Sequence, residues 1–105
     1  MRVIGTVVEA ESGKPLEGLR VRAYDEDWVF DDRLGDTLTN AEGRFEIVYT
    51  EAQFRDFGET LPDVYVRIYD PSGEKLLYSS EKAVRRSAQV VERFAIEIPR
   101  AKLTG

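Results

Sequence analysis

The stretch Val64-Tyr65-Val66-Arg67-Ile68-Tyr69-Asp70-Pro71-Ser72-Gly73 decides the fold. Val64, Val66 and Ile68 take every second position, with Tyr65, Arg67 and Tyr69 between them. A pleated strand turns successive side chains to opposite faces, so this period buries one set and leaves the other on the opposite side. Pro71 restricts φ and Gly73 tolerates positive φ, so the run ends in a turn. Working outward, the same alternation recurs at Val3–Val8, Leu19–Tyr24, Arg44–Tyr49 and Arg93–Ile98. These segments are rich in β-branched and aromatic residues, which fit a half-buried pleated surface. Asp36–Thr39 and Lys75–Ser79 are weaker strand candidates. Ser12-Gly13-Lys14-Pro15, Glu17-Gly18 and Asn40-Ala41-Glu42-Gly43 supply turns between the runs. The spacing predicts an all-β, antiparallel Greek-key sandwich of seven to eight strands. A short helix is expected near residues 50–56, with Thr50 as cap and Gln53 at the capping-box position. The sequence reads as a single domain over residues 1–100 with a frayed tail at 101–105.

Composition narrows the chemistry. The chain has 105 residues, 42% hydrophobic and 33% charged, with one Trp, five Tyr and five Phe, enough for a real core. It has no cysteine, which removes disulfides, thiolate metal sites and thiol nucleophiles. It has no histidine, which removes imidazole acid–base catalysis and imidazole ligation of transition metals. The net charge of −5 disfavours generic binding to a nucleic-acid backbone. No apolar run reaches the roughly 20 residues of a membrane-spanning helix. The N-terminal Met1-Arg2-Val3-Ile4-Gly5-Thr6-Val7-Val8 has strand character and no signal-peptide core, so the compartment stays open.

Three groups of residues could carry function. The acidic segment 25–36 holds Asp25, Glu26, Asp27, Asp31, Asp32 and Asp36, opposed only by Arg33. Hard cations such as calcium take several oxygen ligands, and Asp25, Asp27, Asp31 and Asp32 are candidate ligands, with Asp70 joining them if it lies at the same end of the sandwich. The plain alternative is a solvated loop of Asx turns. Within that segment Trp28 and Phe30 either fold down over the sandwich end or anchor a partner protein. The third group is Arg20, Arg22 and Tyr24 with Tyr65, Arg67 and Tyr69, a cationic–aromatic surface if the two strands are neighbours. Arg22, Tyr65 and Arg67 are its candidate partner-binding residues. Catalysis lacks a positioned nucleophile and base, and a small sandwich offers little cleft, so the expectation is a protein that is not an enzyme.

Gly5-Thr6-Val7-Val8, then Gly13-Lys14-Pro15-Leu16-Glu17-Gly18-Leu19-Arg20-Val21, then Thr39-Asn40-Ala41-Glu42-Gly43-Arg44-Phe45 resembles the transthyretin-like (prealbumin-like) β-sandwich superfamily. That group includes carboxypeptidase regulatory-like modules. With Val21–Gly35, Tyr49-Thr50-Glu51-Ala52-Gln53-Phe54 and Pro62-Asp63-Val64-Tyr65-Val66-Arg67, the chain also resembles small bacterial transthyretin-like domains, some of them attached to large insecticidal-toxin-like proteins. The resemblance spans about residues 3–98 and implies the sandwich fold. It does not carry enzyme activity here. Hydrolases of this fold use histidines and a C-terminal Tyr-Arg-Gly-Ser, whereas this chain ends Lys102-Leu103-Thr104-Gly105. Dioxygenases of related fold need two histidines for iron. The expected role is a non-catalytic accessory or interaction module with a protein partner or neighbouring domain. The alternative is a calcium-dependent binding module, and the oligomeric state is open.

Overall fold

The alternating runs form strands in the computed structural model, which describes residues 1–27, 30–53 and 61–104. In chain order these are β1 Arg2–Glu9, β2 Arg20–Asp25, β3 Asp32–Leu38, β4 Arg44–Val48, β5 Val64–Tyr69, β6 Leu76–Ser79 and β7 Val91–Ile98. A three-stranded sheet has the order β4-β1-β7 and a four-stranded sheet the order β3-β2-β5-β6. Strands β1 and β7 run parallel, and the other pairings are antiparallel. The sandwich is as the periodicity predicts, with this one parallel pair added.

The core is built from the alternate residues of both sheets. Val3, Val7, Phe45, Ile47, Phe94, Ile96 and Ile98 face Val21, Ala23, Leu34, Val64, Val66, Ile68 and Leu77, all buried. Burying each such side chain is worth roughly 1.5–3 kcal/mol, which makes this interdigitation the main term holding the layers together. The sheets approach so closely that Gly35 has no room for a side chain, since a Cβ there would run into Ile47 Cγ2.

Strand β3 is longer than the sequence implies. Its register against β2 shifts at Ala23/Tyr24, pairing Ala23 with Gly35 and Tyr24 with Arg33. Leu34 is the extra residue of this bulge, and a bulge turns consecutive side chains to the same face. Period two is therefore broken where β3 passes over the core. The expected acidic loop 25–36 is corrected: Asp25 ends β2 and Asp32 opens β3, which extends the weaker strand candidate at Asp36 toward the N-terminus. Strand β6 has a matching irregularity, with Leu77 extra between the pairs Ile68–Tyr78 and Tyr69–Leu76.

The turns use the expected chemistry. Asn40 Oδ1 accepts N–H bonds from Glu42 and Arg44 at 3.0 and 2.9 Å. Asp70 Oδ1 accepts from Glu74 N–H at 3.0 Å and from the Ser72 hydroxyl at 2.8 Å. Glu51–Gln53 forms a 3-10 turn where a helix was expected, and residues 54–60 lie outside the described residues. At the other end of the chain Arg100–Leu103 makes one helical turn, α1. Arg100 donates to Glu9 at 2.8 Å and its backbone N–H to Glu11 at 2.9 Å.

Candidate functional site

Strands β2 and β5 are neighbours, which brings the outward residues of the cationic–aromatic group onto one face. Arg20 lies opposite Tyr69, Arg22 opposite Arg67 and Tyr24 opposite Tyr65. The Arg22 guanidinium sits over the Tyr69 ring at 4.7 Å. Arg67 lies over Tyr24 at 5.4 Å and over Tyr65 at 5.5 Å. The Tyr24 and Tyr65 rings stack with centroids 5.2 Å apart.

Residues from the flanking strands and from the segments beside them complete the face. Asp36, opposite Arg22 on β3, accepts from Arg20 Nη1 at 2.6 Å and from Arg22 Nε at 3.0 Å. Glu81 accepts from Arg67 Nη2, and Asp31 accepts the Tyr65 hydroxyl. Leu38 and Leu76, opposite Arg20 and Tyr69, stand at the two edges of the first row, 48% and 47% exposed. The Asp70–Gly73 turn folds toward the arginines. A Cβ on Gly73 would stand 3.0 Å from Arg22 Nη2, and the glycine's φ of +82° also favours the residue without a side chain.

Electrostatics follow from this packing. Burial works to raise the Asp36 carboxyl, but the hydrogen bonds from Arg22 and Arg20 outweigh it and hold the group below its ordinary value. Burial, reinforced by the Asp31 carboxylate at its hydroxyl, pushes the Tyr65 phenol above its ordinary range. Tyr65 is only 1% exposed. It supports Tyr24 and Arg67 from beneath, so the accessible groups of the face are Arg20, Arg22, Arg33, Arg67, Tyr24 and Tyr69. Each internal contact is modest: about 0.2–1 kcal/mol for a partly exposed ion pair and about 0.5–1 kcal/mol for a cation over an aromatic ring.

The acidic residues do not assemble in the same way. Asp25 is buried, and its Oδ1 accepts the Asp63 backbone N–H at 2.8 Å. Asp31 Oδ1 accepts the Asp27 N–H at 3.1 Å, while its other oxygen takes the Tyr65 hydroxyl. Asp32 pairs in register with Asp25. Asp70 follows Tyr69, which pairs with Arg20 at the far end of β2 from Asp25, so it cannot join them. Among the described residues no group of three or more acidic side chains is placed to hold a metal ion. Phe30 is 80% exposed in the segment between β2 and β3, and Trp28 lies outside the described residues.

Sequence reasoning paired the two arginine–tyrosine rows but missed Asp36, Glu81, Leu38 and Leu76 as members of the face. The β2–β3 and β5–β6 registers reveal Asp36, Leu38 and Leu76, and the 3-10 turn after β6 brings Glu81 to Arg67.

The order of the sheets defines the class, a small two-sheet sandwich of the prealbumin kind. Residues 12–99 match the model of the Transthyretin-like family, and the chain belongs to that family. No curated protein matches it. Among solved structures it is similar to a 9R-lipoxygenase from Cyanothece, with 23% identity and a TM-score of 0.64, over 90% of this chain and 16% of that one. It is also similar to a streptococcal ancillary pilin, with 13% identity and a TM-score of 0.50, over 93% of this chain and 28% of that one. At these identities the likeness is one of fold. The chain spans about a sixth and about a quarter of the lengths of these two proteins.

Proposed function

We propose that this chain is a non-catalytic accessory module that works beside or within a larger protein and docks through the outer face of its four-stranded sheet. The observation that carries this reading is the cross-strand stacking of Arg22 on Tyr69 and of Arg67 on Tyr24 across an open sheet face. Stacked guanidiniums and tyrosines give contact area with little side-chain freedom left to lose, the combination that dominates protein interfaces. Membership of a sandwich family, and similarity to portions of longer chains, support an accessory role. The finer resemblance to carboxypeptidase regulatory-like and toxin-associated modules belongs to the same proposal.

Catalysis fits the residues poorly. The chain lacks histidine and cysteine. A hollow of about 380 Å³ lies over the other sheet, lined by Ile4, Thr6, Arg44, Phe45, Arg93 and Phe94, without a carboxylate or hydroxyl pair suited to acid–base work.

The test is complex formation in extracts of the native cells, read by sedimentation of the tagged chain. The double variant Arg22→Gln/Arg67→Gln should sediment as the free chain, and Arg44→Gln, on the opposite sheet, should keep the complex. A double variant that stays in the complex would contradict the reading.

A further inference from the structure

We infer that the docking face recognises an acidic polypeptide segment, whose carboxylate bridges Arg22 and Arg67 while aliphatic side chains rest on Leu38 and Leu76. The inference rests on the docking role proposed above and adds the chemistry of the partner. Its first support is a juxtaposition the fold does not need: Arg22 and Arg67 are directly opposite each other on adjacent strands. Like charges in that position destabilise a sheet. Asp36 on β3 and Glu81 in the 3-10 turn after β6 engage the two guanidiniums, one on each side. An anion seated between the arginines relieves the remaining repulsion, reached through the terminal guanidinium nitrogens, since Arg22 Nε is held by Asp36 and Arg67 Nε is buried.

The second support is charge complementarity. Arg20, Arg22, Arg33 and Arg67 share this face with Asp36 and Glu81, and Asp31 is turned to the Tyr65 hydroxyl. In a chain of net charge −5, the four arginines of this face outnumber its carboxylates, whereas the other sheet sets Arg2, Arg44 and Arg93 around an apolar hollow. The arginines are prearranged: Arg22 is held over Tyr69 and against Asp36, and the Gly73 turn closes in beside it. The Asp36 carboxylate shared by Arg20 and Arg22 already displays the geometry by which this face holds a carboxylate. Exposed leucines at both ends of the first row favour a polypeptide over a sugar sulfate or a nucleic-acid backbone.

The test is a nuclear magnetic resonance titration of the intact chain at low salt, following the Arg22 and Arg67 Nε–Hε signals. The probe is an oligoglutamate peptide carrying a leucine at each end. Both signals should move, and added salt should weaken binding. Arg22→Gln and Arg67→Gln should each lose about tenfold in affinity, equivalent to about 1.4 kcal/mol, and Arg44→Gln should bind as the native chain does. The wild-type signals decide the matter even if a variant folds poorly. Unmoved signals, or undiminished binding by both variants, would overturn the inference. So would tighter binding of a heparin fragment or oligothymidylate, or a salt-sensitive self-association abolished by the same variants, which would make a second copy the occupant. If oligoglutamate fails to bind while the double variant still leaves its native complex, the acidic chemistry falls and the docking role stands. A double variant that remains in the complex removes both.

Discussion

Asp36 ties two arginines of the docking face together, and its linkage to pH follows from that. Its carboxyl is held below its ordinary value of about 3.9 in the folded chain. Above that value the ion pairs contribute in full. As pH falls through the folded value, the unfolded state has already taken up its proton and the contribution is lost. Asp36→Asn is expected to cost about 1 kcal/mol at neutral pH, for two partly exposed pairs, and to flatten the loss of stability below about pH 4. Urea unfolding across pH reads both effects. Tyr65 behaves in the opposite sense. Its phenol is raised, so the neutral form is favoured by folding, and that stability is lost as pH rises above the ordinary value of about 10. Burial raises the Tyr49 phenol as well, so alkaline titration followed by ultraviolet absorbance should show late-ionising tyrosines, of which Tyr65→Phe removes one and leaves Tyr49.

At the scale of elements, the strands with unbroken alternation were legible and the bulged ones were not. Val64–Tyr69 and Leu19–Tyr24 show their inward residues directly, because each pleat reverses the side chain. In β3 the bulge turns neighbouring Leu34 and Gly35 toward the core, so a strand looks like acidic loop. In β6 the extra Leu77 has the same effect. The arginine–tyrosine rows could be paired from the sequence once β2 and β5 were assumed to be neighbours. The burial of Tyr65 could not, because its cover comes from Tyr24, Arg67 and Asp31 on different segments. Leu34 tests the β3 assignment: it is fully buried, so Leu34→Ala should cost about 2–5 kcal/mol. A solvent-exposed loop leucine would cost almost nothing, and chemical denaturation separates the two outcomes.

At the scale of the molecule, the sandwich sets its two most conspicuous charged groups to different tasks. The Asp25 carboxylate ties the end of β2 to the Asp63 N–H just before β5, and the Asp31 carboxylate takes the Asp27 N–H and the Tyr65 hydroxyl. A protein that holds calcium in its native state alone gains stability by mass action. The thermal midpoint here is expected to be the same in millimolar calcium as in EDTA, and a rise with calcium would restore a metal role for Asp25, Asp27, Asp31 and Asp32. The arginines and tyrosines instead lie across an open sheet. The most direct test of their role is photo-crosslinking in the native cells, with a crosslinking amino acid at position 69 on the four-stranded sheet or at position 6 on the other. Position 69 should yield a discrete crosslinked protein that position 6 does not. Equal products from both positions, or a product from position 6 alone, would contradict docking through this face.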